Sequence, residues 1–132
     1  MNRHDAEIFF DNEWGKEKVK VHSSCVIECC LGMTQESDLD PEIFEIAGWI
    51  HDMGRKIASE NHENLSLKFL EKFLIAHEEY MSKRAEIVDC ILNHRTTGDP
   101  KTIYGLIFRA ADKASKHKLR SIRWKAEHKT ES

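Results

Sequence analysis

The sequence predicts an all-α protein, folded as a single compact bundle of about six or seven helices. The 132 residues contain only two prolines and six glycines, so few positions interrupt a helix. Apolar residues also recur every three or four positions over long stretches, which is the period of an amphipathic helix. We expect residues 1–132 to form one domain with one core, in which residues 118–132 are a basic C-terminal helix or tail.

Composition restricts the partners that the protein is expected to have. The formal net charge is −3, so no overall positive charge favours nucleic acid or an anionic membrane surface. No apolar run approaches the length of about 18 residues that a membrane-spanning helix requires. We therefore expect a cytoplasmic protein without a membrane or nucleic-acid partner. The sequence does not indicate an oligomeric state.

Two helices are predicted before residue 33. Residues 4–14 predict a short first helix that ends at Gly15. Its predicted anchors are Ile8, Phe9 and Trp14. The second helix, Glu17–Leu31, ends near Gly32, which tolerates the left-handed conformation of a C-cap. Its inward stripe, at spacings of three and four, contains Val19, His22, Val26 and Cys29 or Cys30.

The four cysteines, Cys25, Cys29, Cys30 and Cys90, admit two interpretations. No C-x-x-C spacing occurs, so neither a zinc ribbon nor a thioredoxin-type motif is indicated. Cys25 and Cys29 could share a helix face with His22 and form a soft-metal site. We favour the interpretation that they are reduced cysteines packed as small core residues.

The third helix is predicted to be central and buried. Asp40 suits its N-cap and Pro41 its first position, and the residues up to Ile50 are apolar almost all round. At its end, before Gly54, stand His51 and Asp52. Charge beside such a buried helix is costly unless it is paired or bound to a metal, so this pair is a candidate metal-binding site.

Three further helices follow. The fourth runs from about His62 to Tyr80 after a cap at residues 59–61, and the fifth from Lys83 to about Asn93 after a cap at Ser82. A polar turn over residues 94–98 leads to Asp99–Pro100, which opens the sixth. Asp112 lies in the second half of that helix among alanines, where a carboxylate needs a metal or a cationic partner.

After Ser115 the chain becomes basic and loses its apolar period. Trp124 lies among Lys116, Lys118, Arg120, Arg123 and Lys125. We interpret this segment as a solvated terminal helix with Trp124 as an anchor. The alternative is a tail that binds phosphate or nucleic acid.

Imidazoles and carboxylates recur at or near the ends of different predicted helices or on their inward stripes. In order they are His22, His51, Asp52, His62, His94 and Asp112. Imidazole nitrogen and carboxylate oxygen are both good ligands for divalent transition metals. Four imidazoles in the set favour iron or manganese, with zinc, nickel or cobalt as alternatives, over magnesium, which prefers an all-oxygen shell.

The order of these residues resembles the H…HD…D pattern of the HD-domain superfamily of metal-dependent phosphohydrolases. His22, the pair His51–Asp52, and Asp112 match the pattern, within residues 17–117. The local contexts are similar too, namely Ala-Gly-Trp-Ile-His-Asp-Met-Gly-Arg around the pair and Arg-Ala-Ala-Asp-Lys around the last aspartate. The resemblance implies an all-helical, HD-domain-like fold and a metal-dependent hydrolase in which His51 and Asp52 are catalytic.

The two extra histidines resemble those of HD subfamilies that bind two metal ions. By this resemblance His22, His51, Asp52 and Asp112 hold one ion, and Asp52 bridges to a second ion held by His62 and His94. Two such ions can lower the pKa of a bridging water and clamp a phosphoryl oxygen. Three cations flank the ligands in sequence and are predicted to bind substrate phosphate. They are Arg55, Lys56 and Arg95.

The predicted substrate is a small phosphorylated molecule, in the first place a nucleotide. Residues 93–98 are similar to the His-Thr-Thr-Gly run of bacterial HD hydrolases that split diadenosine tetraphosphate, with Arg95 inserted after the histidine. A dinucleoside polyphosphate is therefore one candidate. The alternatives are a mononuclear 5′-nucleotidase-like HD enzyme, an HD protein that binds metal and nucleotide without turnover, and a structural helical protein with buried histidines.

Overall fold

A computed structural model describes the backbone of residues 4–128 and the side chains of residues 4–117. Every regular element within that range is helical, which confirms the all-α prediction. The α-helices are α1 (Asp5–Glu13), α2 (Glu17–Met33), α3 (Pro41–Ile50), α4 (His62–Ala76), α5 (Arg84–Leu92) and α6 (Ile103–His128). Two 3₁₀ helices, Met53–Lys56 and Glu78–Lys83, follow α3 and α4.

Helix α3 lies at the centre of the bundle, as the sequence predicts. Seven of its ten residues are buried, and it packs against α1, α2 and α5. The Asp40 side chain accepts a hydrogen bond from the N–H of Glu42, and Pro41 occupies the first turn. Fully buried side chains such as Phe44 and Ile50 each stabilise the fold by about 2 kcal/mol. The core therefore holds the segment that carries His51 and Asp52 in a fixed position.

Of the three anchors predicted for the first helix, Phe9 and Trp14 pack against the core and Ile8 does not. Ile8 is 40% exposed, whereas Phe10 is fully buried and contacts the Trp49 ring at a centroid distance of 5.7 Å. Gly15 does end the element, with a φ of +64° that glycine adopts readily. Because Gly15 occupies this left-handed region, the chain turns back and α2 lies beside α3.

Several helix boundaries also differ. Helix α2 continues through Gly32 to Met33. Helix α3 ends at Ile50 and is followed by a 3₁₀ helix that contains Gly54, so Gly54 does not end the helix. Helix α4 ends at Ala76, before the predicted Tyr80. Helix α6 begins at Ile103 and not at Asp99–Pro100, because the residues between them are held as a loop.

Helix α6 continues as far as His128, so the basic segment is helical over most of its length. The side chains from residue 118 onward lie outside the described residues, and so do the roles predicted for Trp124 and the cations around it. Within the part of the chain that is described, no helix combines the length and the apolar character that crossing a membrane would require.

Candidate metal centre and adjoining cavities

The six predicted metal-binding residues lie together, although five separate segments of the chain provide them. His22 comes from the middle of α2, His62 from the first turn of α4, and Asp112 from α6. His51 and Asp52 follow the end of α3, and His94 follows α5. All six are buried except His22, whose side chain is 12% exposed. We call these six residues the His/Asp cluster.

Two imidazoles and two carboxylates form one half of the cluster. His22 Nε2 lies 2.9 Å from Asp112 Oδ1 and 3.6 Å from Asp52 Oδ2. His51 Nε2 lies 3.4 Å from each of the same two oxygens. In the other half, His62 Nε2 lies 3.3 Å from Asp52 Oδ1 and 3.3 Å from His94 Nε2. The two oxygens of Asp52 therefore face different imidazoles.

Backbone carbonyls orient three of the four imidazoles. The Nδ1 atoms of His51, His94 and His62 lie 2.8, 2.7 and 3.2 Å from the carbonyl oxygens of Gly48, Ile91 and Ser59. A carbonyl oxygen only accepts, so in each ring Nδ1 carries the proton and donates it. In the neutral ring the Nε2 lone pair then points into the cluster, as it does in metal-binding histidines.

The donors fit a divalent transition metal. The buried Nε2 of His51 has no hydrogen-bond partner, and the Nε2 atoms of His62 and His94 face each other without a shared proton when both rings are neutral. A buried polar atom without a hydrogen-bond partner lowers the free energy of unfolding by about 1–3 kcal/mol. Within the cluster, two groups of three donors each have their ligand atoms within 4.8 Å of one another, His22/His51/Asp112 and His51/Asp52/His94, and a third such group, Asp5/His77/Glu79, lies outside the cluster. Mixed imidazole and carboxylate donors suit iron, manganese or zinc.

The electrostatics of the cluster favour a bound cation. Burial opposes ionisation of Asp52 and Asp112, but the imidazoles around them outweigh it and hold both pKa values well below the usual range. Burial lowers the pKa of His51, whereas the carboxylates of Asp52 and Asp112 outweigh burial and raise it to about 9. Burial and the charge of His51 lower the pKa of His94 to about 4. Near neutral pH both carboxylates are thus ionised, His94 is neutral, and His51 carries a proton that a bound cation would displace.

Ser66 fixes the segment after α3 against the start of α4. Its hydroxyl donates to the carbonyl of His51 at 2.8 Å and accepts from the N–H of Gly54 at 2.8 Å. A Cβ atom on Gly54 would lie 2.0 Å from the carbonyl oxygen of His62. Only glycine allows this approach, and the approach sets the distance between the His51–Asp52 pair and His62.

Two cavities reach the cluster. The larger one, of about 600 Å³, reaches His94 and Asp112. Its cationic lining residues are Arg55, Arg95, Arg109, Lys113 and Lys116. The smaller one, of about 370 Å³, reaches His22 and Asp52. Its other lining residues are Trp14, Lys16, Lys18, Val19, Arg55 and Ser59.

Two of the three cations predicted to bind substrate lie at these cavities. Arg55 lines both, with its Nε 3.3 Å from Asp52 Oδ1. Arg95 lines the larger one, with Nη1 3.5 Å from Glu63 Oε2. Lys56 lies elsewhere, because its ammonium group donates to the carbonyl oxygen of Glu13. Neighbouring side chains of a 3₁₀ helix diverge by about 120°, so Arg55 faces the cluster and Lys56 faces away.

The sequence interpretation missed several residues at the cavities. Arg109 and Lys116 share a face of α6 with Asp112, and Lys116 Nζ lies 3.1 Å from Asp112 Oδ2. Arg109 donates from Nη1 to the carbonyl of Gly98 at 3.0 Å. The sequence could have indicated both residues, because they lie three and four positions from Asp112 and therefore share its helix face. Trp14 gave no such signal, because only the tertiary fold brings it beside the cluster.

The cysteines take no part in the candidate centre. Cys30 and Cys90 are fully buried, Cys25 and Cys29 are partly buried, and all four are free. None belongs to a group of potential metal ligands among the described residues. Burial, with smaller contributions from Cys29 and Asp112, raises the pKa of the Cys30 thiol to about 12. These observations support their interpretation as small core residues.

Comparison with known proteins shows which protein family the chain belongs to. The family model of the HD domain matches residues 19–116, so the chain belongs to the HD-domain family. Members of this family are mostly metal-dependent phosphohydrolases, and HD domains bind divalent metals. This confirms the family resemblance identified from the sequence.

The curated relatives are distant and much longer. Ribonuclease Y from Thermus thermophilus is 26% identical over 113 residues, which cover 83% of this chain and 18% of that protein. Ribonuclease Y from Deinococcus radiodurans has the same identity and coverage. The chain thus spans about a fifth of the length of these relatives. No solved structure matches it significantly.

Proposed function

We propose that this protein hydrolyses a phosphoester or phosphoanhydride bond in a small nucleotide, with two divalent metal ions as cofactors. The observation that supports this most strongly is the convergence of four imidazole Nε2 atoms and two ionised carboxylates in one buried cluster, beside a cavity lined by cations. In this cluster the Nε2 of His51 has no hydrogen bond of ordinary geometry, and the nearest acceptors, on Asp52 and Asp112, are 3.4 Å away.

In this proposal His22, His51, Asp52 and Asp112 would hold one ion, and His62 and His94, together with Asp52, would hold the second. Iron and manganese fit best, zinc, nickel and cobalt are alternatives, and magnesium is less suitable. Such ions, when bound, activate water and neutralise charge on the phosphoryl group. We assign the catalytic roles to Asp52 and His51, since Asp52 faces both halves of the cluster and His51 belongs to both groups of potential ligands within it.

Arg55 and Arg95 are proposed to bind the phosphate oxygens of the substrate. Their side chains are 39% and 49% exposed, so each can turn toward a ligand in the larger cavity. A guanidinium group can donate two parallel hydrogen bonds to a phosphate. Glu63, at 3.5 Å from Arg95 and 3.6 Å from His62 Nδ1, would orient Arg95.

Cleavage of RNA is the second candidate function. The sequence led us to expect no nucleic-acid partner, because the net charge is negative. Positive charge is nevertheless concentrated at one place, because five cationic side chains line the larger cavity. The relatives that bear the name Ribonuclease Y also favour RNA as a substrate.

The test is hydrolysis of bis(4-nitrophenyl) phosphate and of a nucleotide panel, after reconstitution with iron, manganese, zinc, nickel or cobalt. We expect metal-dependent turnover by the wild type and turnover at background level for Asp52→Asn. His77→Ala is the matched control, since His77 stacks on Phe73 outside the cluster and should retain activity. No turnover of any substrate with any metal, or full turnover by Asp52→Asn, would refute the proposal.

A further inference from the structure

The two carboxylate oxygens of Asp112 lie in different surroundings. Oδ1 faces the cluster, 2.9 Å from His22 Nε2 and 3.4 Å from His51 Nε2. Oδ2 forms an ion pair with Lys116, whose Nζ lies 3.1 Å away. The Asp112 side chain is only 3% exposed, so solvent competes little for Oδ2. An ion at the cluster would therefore meet one unoccupied oxygen of this carboxylate.

Asp52 uses its oxygens differently. Its Oδ2 lies 3.6 Å from His22 Nε2 and its Oδ1 lies 3.3 Å from His62 Nε2, so both oxygens face imidazoles. Arg55 Nε also lies 3.3 Å from Oδ1, but it shares that oxygen with His62 and does not separate it from the cluster. Each oxygen of Asp52 is therefore available to an ion, which is not the case for the carboxylate on α6.

The spacing along α6 explains why Lys116 holds Asp112. Residues four apart lie on one face of a helix, and a carboxylate four positions before an ammonium group is the favourable order. On the other side of Asp112, Arg109 donates from Nη1 to the carbonyl oxygen of Gly98 at 3.0 Å. Arg109 is thereby fixed to the loop before α6, whereas the ammonium group of Lys116 reaches Oδ2.

We propose that Lys116 is a positioning residue, which keeps Asp112 a one-oxygen ligand and so selects transition metals over calcium. Calcium takes about six to eight oxygen ligands and commonly uses both oxygens of a carboxylate. An Asp112 restricted to Oδ1 denies calcium one of these oxygens. Manganese or iron, held partly by imidazole nitrogen, depends on it less. The inference rests on the proposed function, and it specifies how that site selects its metal.

The test measures Kd for manganese and for calcium by calorimetry, with metal-free wild type and Lys116→Met. Binding that Asp52→Ala lacks is assigned to the cluster. Methionine retains the apolar stem of lysine without the charge. We expect the preference for manganese over calcium, given by the ratio of the two Kd values, to fall about tenfold in Lys116→Met. Loss of a side chain that orients a metal ligand changes metal affinity by about 10- to 100-fold.

Lys113→Met is the matched control, because it separates this effect from the loss of a charge. Lys113 follows Asp112 directly and lines the same cavity, but it forms no ion pair with a described residue. Removal of its ammonium group acts similarly on both metals, since both ions carry the same charge, so the ratio should stay within about twofold of wild type. Lys116→Arg retains a cation that can pair with Oδ2 and should restore most of the wild-type ratio.

Three results would overturn the inference while leaving the proposed function intact. They are an unchanged or larger ratio in Lys116→Met, an equal fall of the ratio in Lys113→Met, and a fall in Lys116→Arg as large as in Lys116→Met. Absence of metal binding by the wild type is a different outcome. It would contradict the proposed function, and the inference with it.

Discussion

Asp52 connects the two halves of the candidate centre, since Oδ2 faces His22 and His51 while Oδ1 faces His62. The sequence was sufficient to select this residue, because a carboxylate at the end of a buried helix needs a partner. The division of its two oxygens between different imidazoles could not be predicted. That division depends on how α2 and α4 are placed around the end of α3.

Arg55 provides a prediction about substrate binding. Arg55→Ala should lower kcat/KM by about 10- to 100-fold, because a hydrogen bond to a charged group contributes about 1.5–3 kcal/mol. Steady-state kinetics with the preferred substrate measure the effect. Arg84→Ala is the control, since Arg84 is an exposed arginine whose partner is Glu71, 2.7 Å away. Equal kcat/KM values for the two variants would show that Arg55 does not bind the substrate.

Asp89 holds the loop that leads from His94 to α6. Its carboxylate accepts hydrogen bonds from the N–H groups of Lys101 and Thr102, from the Thr102 hydroxyl and from the Asn93 amide. Burial raises the pKa of Asp89, but these hydrogen bonds outweigh it and lower the pKa below its usual value. The loop therefore depends on an ionised carboxylate.

Asp89→Asn should destabilise the protein by about 2 kcal/mol at neutral pH, because one acceptor oxygen becomes a donor facing other donors. The pKa of Asp89 is lower in the folded state, so its contribution is present above about pH 4 and declines as the pH falls further. Urea unfolding from about pH 7 to about pH 3 should show the difference between wild type and variant decrease. A constant difference over this range would contradict the role of the charge.

At the scale of the elements, the contact between the 3₁₀ helix Met53–Lys56 and α4 sets the geometry of the cluster. The sequence indicated a helix end near Gly54, but it did not indicate that α4 approaches this glycine. The approach depends on Ser66, whose hydroxyl joins the two segments. A serine within a helix gives no recognisable sequence signal for such a contact. The sequence therefore predicted the helix end near Gly54 but not its contact with α4.

Gly54→Ala tests this contact. The added methyl group would lie 2.0 Å from the carbonyl oxygen of His62 and 2.7 Å from the N–H nitrogen of Ser66, so backbone must move. We expect a loss of about 3 kcal/mol in the free energy of unfolding and weaker metal binding.

Gly32→Ala is the matched control for this substitution. Gly32 lies inside α2 with no atom within 4 Å of an added Cβ, and alanine there should be neutral or stabilise by up to about 1 kcal/mol. Equal stabilities of the two variants, measured by urea unfolding, would show that the close approach is not required.

At the scale of the whole molecule, the cluster joins segments that are far apart in the chain. His22 and Asp112 are 90 residues apart in sequence and 2.9 Å apart in the structure. The order of the histidines and aspartates in the cluster and the helical class were predictable, since both follow from local patterns. The cavity walls were not, because Trp14 and the cations of α6 come together only through tertiary packing.

The central claim is that the His/Asp cluster binds two metal ions through a shared Asp52. Its most direct test is elemental analysis of protein purified without a histidine tag or chelator, for wild type, Asp52→Ala and the control Asp38→Ala, since Asp38 is exposed and belongs to no group of potential ligands. The account predicts about two transition-metal ions per chain in wild type and control, and their loss in Asp52→Ala. No stoichiometric metal in the wild type, or an unchanged metal content in Asp52→Ala, would contradict it.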